Sequence, residues 1–154
     1  MSTIEESIDV RVPLSTAYNQ WTQFEDFPKF MDGVEEVQQL DPKRLRWVAN
    51  VKGQRREFQA RITEQKPDER IAWVVEGGPF HAGVVTFHRI DDHTTRLMLQ
   101  MEYEPSDVAE KVGDALGIVR RQVRSDLQRF EGYIETRGRE TGAWRGEIDE
   151  QKAG

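Results

Sequence analysis

The sequence predicts an α+β fold in which a curved, seven-stranded antiparallel sheet wraps around one long C-terminal helix, with two short helices after strand one. Apolar and polar residues alternate along seven short segments, the signature of half-buried strands. The links between the last six segments are short and turn-rich (DPKR, KGQR, KPDE, GGP, DDHT), which favours hairpins over the long crossovers of parallel strands. Beyond them, apolar residues recur at three- and four-residue steps from Val108 to Ile134, the stripe of an amphipathic helix.

The first strand is expected over 3–12, where Ile4, Ile8, Val10 and Val12 share one parity against Glu5, Ser7, Asp9 and Arg11. Glu6 interrupts the inward parity, as a buried or rim carboxylate or through a bulge near Glu5. Pro13 ends the strand, and Ser15 is expected to cap a short helix with Leu14, Ala17, Tyr18, Trp21 and Phe24 on one face. In FEDFPKFMDG, Pro28 breaks a long helix and Gly33 ends the segment, so a second helical turn is expected that holds Phe27, Phe30 and Met31 inward. Six strands follow at about 34–40, 45–52, 56–65, 70–76, 81–90 and 95–104. Their inward residues are Leu45, Trp47, Ala49 and Val51; Phe58, Ala60 and Ile62; Ile71, Trp73 and Val75; Gly83, Val85 and Phe87; and Leu97, Leu99, Met101 and Tyr103. Asp107 and Glu110 have capping-box spacing at the head of the long helix, which runs to about residue 137. Along it Arg120, Arg121, Arg124, Asp126, Arg129 and Glu135 mostly occupy the solvated remainder. Residues 1–138 thus form a single domain, and the glycine- and charge-rich 139–154 read as a flexible polar tail in which Trp144 is loose or docked.

The chain has 154 residues, 22 Lys plus Arg against 28 Asp plus Glu, a formal charge of −6 and no cysteine. Disulfides, zinc–thiolate sites and thiol nucleophiles are excluded. The acidic balance argues against DNA binding, which needs a basic face to neutralise phosphates. No apolar run approaches the length of a membrane span, and MSTIEESIDV lacks a basic region followed by an apolar one, so a cytoplasmic location is the expectation.

The histidines His81, His88 and His93 do not converge by strand parity, and neither a metal nor another cofactor is expected. His81 has the parity of Gly83 and Val85; it either reaches the mouth of an interior space as a donor or acid/base, or is half exposed at a strand end. No catalytic residue is assigned, with His81 the nearest candidate. Neighbouring carboxylates such as Glu35 and Glu36 point to opposite faces of a strand and cannot work as an acid/base pair. Within 43–61, Lys43, Arg44, Arg46, Lys52, Arg55, Arg56 and Arg61 outnumber Glu57. This basic hairpin either attracts an anion or pairs with the acidic strand carrying Glu35, Glu36 and Asp41.

The segments SIDVRVPLSTAYNQWTQFEDFPKFMDGVEEV, VTFHRIDDHTTRLMLQMEY and SDLQRFEGYIETRG, in that order, resemble the START-like helix-grip superfamily (SRPBCC). It includes START lipid-transfer domains, plant pathogenesis-related allergens, coenzyme Q-binding proteins and bacterial polyketide cyclases. The resemblance spans about residues 3–138. It implies an apolar cavity between sheet and C-terminal helix. Trp21, Phe30, Trp47, Phe58, Ile62, Trp73, His81, Val85, Phe87, Met101, Tyr103 and Leu116 are the candidate ligand-binding residues there.

The function so implied is binding of a small hydrophobic molecule: a lipid, isoprenoid or polyketide-like compound. One alternative is a polyketide cyclase/dehydrase-type enzyme. Such cyclases use an inward arginine and a tyrosine whose places here hold Ile62 and Val34, while Arg61 has outward parity. The other is a protein or RNA interaction module resembling coenzyme Q-binding proteins. The sequence leaves open whether the chain is a monomer or a dimer.

Overall fold

A computed structural model describes residues 2–51, 53–76, 80–104 and 115–149. In chain order the elements are β1 (Ser2–Val10), α1 (Leu14–Trp21), a 3-10 helix (Phe24–Lys29), β2 (Val34–Asp41), β3 (Arg44–Val51), β4 (Gln54–Lys66), β5 (Arg70–Glu76), β6 (Phe80–Asp91), β7 (Thr94–Tyr103), α2 (Ala115–Arg137) and β8 (Ile148–Asp149). The main sheet runs β1-β7-β6-β5-β4-β3-β2, so consecutive hairpins from β2 to β7 form the expected meander and β1 adds beside β7. The β1–β7 pairing is unbroken from Ser2 opposite Tyr103 to Val10 opposite Thr95.

Alternation sets the inner face. Ile4, Val10, Leu45, Ala60, Ile62, Ile71, Val85 and Leu97 are buried and meet Val119, Val123, Leu127, Phe130 and Ile134 of α2 in one core. The regular β1–β7 register also resolves Glu6: there is no bulge, and the carboxylate sits at the sheet rim, where the Arg124 guanidinium of α2 donates to it at 3.0 and 3.3 Å. Nearby the Arg11 backbone N–H donates to Glu135 (2.9 Å), a second clip between α2 and the end of β1. Gly138 ends α2 at φ 74°, its N–H donating to the Ile134 carbonyl, a left-handed termination that glycine adopts without a Cβ penalty.

The cap of α1 departs from expectation. Pro13 holds the N-cap position and its carbonyl accepts from the Ala17 N–H, whereas the Ser15 hydroxyl donates to Asp68. Proline serves here because the first helical turn leaves N–H groups unpaired in any case. The expected capping box Asp107–Glu110 lies outside the described residues.

The segment after Gly138 corrects the expectation of a flexible tail, since 139–149 folds back onto the domain. Gln20 is fully buried and exchanges two hydrogen bonds with Thr141: its side-chain amide donates to the hydroxyl (3.2 Å), and its carbonyl oxygen accepts from the Thr141 N–H (2.9 Å). The Thr141 hydroxyl donates in turn to Asp26 (2.5 Å). Burial pushes the Asp26 carboxyl up, but the Thr141 hydroxyl, Lys29 and Gln20 together hold it below 3.8. Farther on, Trp144 N–H donates to Thr22, Arg145 reaches Asn19 and Asp68, and Ile148 is buried where β8 pairs with β4. Periodicity did not reveal this strap because isolated hydrogen bonds and a two-residue strand hold it, not a repeating face.

Candidate functional site

A cavity of about 240 Å³ opens between the inner face of the sheet, the 3-10 corner and the N-terminal half of the described α2. Strand alternation brings Trp47, Phe58, Ile62, Trp73 and Met101 to its wall, and α1 contributes Trp21. Trp47 and Phe58 are cross-strand partners with rings 11° from parallel and centroids 6.1 Å apart. The 3-10 helix sets Phe27 against both Trp21 (5.3 Å) and Trp47 (5.5 Å), which locks the corner over that side of the cavity. From α2 come Ile118, Val119, Val123 and Leu127.

Five of the other candidate residues stand elsewhere. Phe30 is buried behind the wall, between Phe130 (5.1 Å) and Tyr133 (5.3 Å). Val85 and Tyr103 are fully buried in the core, and Phe87 packs edge-on against Tyr18 at 5.3 Å. His81 sits exposed, 3.4 Å from the Glu104 carboxylate and outside the cavity lining. The Leu116 side chain lies outside the described residues. Ile62 and Val34, at the places where the cyclase comparison requires arginine and tyrosine, both line the cavity and are apolar.

Three polar side chains break this apolar wall among the described residues, indoles aside: Asn50, Gln122 and Asp126. Asp126 corrects its assignment to the solvated side of the helix. Three bonds converge on its Oδ1, from the Asp32 backbone N–H (3.2 Å), the Gln122 amide (2.9 Å) and Arg129 (3.3 Å). The first ties the loop that carries Met31 and Gly33, both cavity residues, to α2. Burial pushes the Asp126 carboxyl above 3.8; the Asp32 N–H, Gln122 and Arg129 oppose that, while the Asp32 charge adds to it. A signal for Asp126 did exist, since it follows Val123 by three residues and precedes Phe130 by four, a position on the apolar stripe. The Trp47 indole N–H is itself buried and has no hydrogen-bond partner among the described residues.

Two arginines of the basic hairpin, Arg46 and Arg55, are held by carboxylates. Arg46 meets Glu57 at 2.7 Å and Glu36 at 3.5 Å, and Arg55 meets Glu35 at 3.1 Å, the cross-strand partnership with the acidic β2.

With this geometry in place, comparisons with known proteins agree on its kind. The family described as polyketide cyclase / dehydrase and lipid transport matches residues 10–130. An uncharacterised 17.2 kDa protein of Streptomyces lincolnensis is 58% identical over 149 residues, covering 96% of this chain and 99% of that protein. Among solved structures, the Zhui aromatase/cyclase from Streptomyces sp. R1128 superposes with a TM-score of 0.76 at 18% identity, covering 93% of this chain and 99% of that one. A START superfamily protein from Mycobacterium smegmatis gives 0.72 at 15% identity, with coverage of 87% and 97%. At such identities the structures speak for the fold alone. The match over 10–130, most of the chain, means that this chain belongs to the polyketide cyclase / dehydrase and lipid transport family.

Proposed function

We propose that the protein binds a small hydrophobic molecule, a lipid, isoprenoid or polyketide-like compound, in the cavity between sheet and α2. The observation that carries this reading is the cavity itself: an aromatic and aliphatic wall with a few convergent polar groups, the usual build of a small-molecule site. Its 240 Å³ lies just below the roughly 300–1,000 Å³ that encloses drug-sized ligands. That size supports a compact ring system or short chain over a two-chain lipid. Asp126 supplies an acceptor for a ligand hydroxyl.

The test is extraction of protein purified from its native host with organic solvent, followed by mass spectrometry for a stoichiometric small molecule. A reproducible apolar species supports the reading, and its affinity should fall about 30-fold or more in Trp47→Ala, as expected for an aromatic anchor. An empty extract together with no thermal shift across a hydrophobic panel overturns it.

One observation favours a second reading, cyclase/dehydrase-type catalysis. Asp126 is a carboxyl of raised pKa on the cavity wall, placed to exchange protons with a bound ketone or enol, and it takes over the acid/base role first considered for His81. On that reading Asp126→Asn keeps ligand binding and loses turnover, whereas His81→Ala changes neither. The interaction-module alternative rests on the basic hairpin, whose Arg46 and Arg55 are matched by carboxylates.

A further inference from the structure

We infer that Gly83 and Trp73 together gauge the size of the ligand, with Gly83 acting as a notch in the sheet that lets the Trp73 ring lie back from the cavity. This rests on the reading that the cavity holds a ligand, and adds the residue that decides how large that ligand can be.

Gly83 lies opposite Trp73 on β5 and opposite Met101 on β7, in the middle of the inner face. Trp73 and Met101 line the cavity; Gly83 lies beneath the indole. A Cβ at position 83 would stand 2.4 Å from Trp73 Cζ2, 2.7 Å from Cε2 and 3.1 Å from Cη2, so the benzo edge of the indole occupies the place of a side chain. Glycine weakens a strand interior, and its neighbours Val84 and Val85 are strong strand formers, so close approach of the indole accounts for its place here. Any side chain at 83 drives the ring off the sheet by about 1 Å or more before ordinary van der Waals contact returns. The sheet blocks one side of the ring, and the cavity that Trp73 already lines offers the room. The depth of the cavity at β5–β7 is therefore set by whether the indole lies in its notch.

The consequence is selectivity by size with the chemistry of the wall unchanged. Wild-type protein, Gly83→Ala, Trp73→Leu and the double variant are titrated calorimetrically with phenol, 2-naphthol and 1-hydroxypyrene, which share one hydroxyl and differ in ring number. Gly83→Ala is expected to weaken 2-naphthol about tenfold or more while phenol stays within about threefold, the scale on which pockets discriminate small changes in ligand size. Trp73→Leu is expected to strengthen 1-hydroxypyrene relative to phenol. Adding Trp73→Leu to Gly83→Ala restores 2-naphthol, because the new methyl then meets no ring. Equal affinities for wild type and Gly83→Ala, or a loss of the same size for all three probes, overturns the inference. If Gly83→Ala does not fold, an unchanged probe ranking in Trp73→Leu overturns it instead. Failure of the wild type to bind any probe, with an empty native extract, removes the binding reading and this inference together; binding without a shift in size preference removes this inference alone.

Discussion

Phe130→Ala tests whether α2 is divided between holding the fold and lining the cavity. Phe130 is fully buried, 5.1 Å from both Trp21 and Phe30, and Ile134 one turn on is equally buried. Toward the N-terminal end of the helix, Ile118 is 47% exposed although it lines the cavity. Truncating a buried phenylalanine loses its transfer free energy and leaves a void, together about 3–5 kcal/mol. For a chain of this length that corresponds to a drop in Tm of about 6–20 °C. Phe130→Leu, which keeps most of the volume, should cost less than about 1.5 kcal/mol, and Ile118→Ala should stay within about 0.5 kcal/mol. Urea unfolding followed by tryptophan fluorescence measures all three, with equal m-values as the check that the transition stays two-state. A loss below about 1 kcal/mol in Phe130→Ala, or an equal loss in Ile118→Ala, would refute the division.

Asp126→Asn should stabilise the protein increasingly with pH. The folded-state carboxyl lies above 3.8, so the native state holds its proton longer than the unfolded chain, and wild-type stability falls as pH rises from about 4 through the raised value. The amide removes that loss and keeps an oxygen for the Asp32 N–H; a stability difference independent of pH between about 3 and 7 contradicts the assignment. Thr141→Val should loosen the C-terminal strap by removing the hydroxyl bonds to Gln20 and Asp26. Native-state hydrogen exchange at Trp144 and Ile148 should quicken about tenfold, and unchanged rates would mean that Ile148 and Arg145 hold the strap by themselves.

Much of this architecture is local and therefore legible in the sequence. Period-two alternation is a property of a few consecutive residues, and by itself it brings Trp47, Phe58, Ile62, Trp73 and Met101 to one face. Turn-rich separators likewise determined the meander, and the helical period placed Val119, Val123, Leu127, Phe130 and Ile134 against it. Facing inward did not separate lining from filling: Phe30, Phe87 and Tyr103 satisfy the same alternation or stripe as Trp47, yet they are packed solid beside Tyr133, Tyr18 and β1. Asp126 sat on the correct stripe but was assigned by its charge, and the Asp32 N–H and Gln122 that make its burial tolerable come together only when the corner folds against α2. The strap needed Gln20 and Thr141, 121 positions apart, to meet. A cavity is the small difference between the space that sheet and helix enclose and the volume of all the side chains that enter it. Each residue's period determines which way it points, but that difference depends on every element at once, so only the tertiary structure decided it.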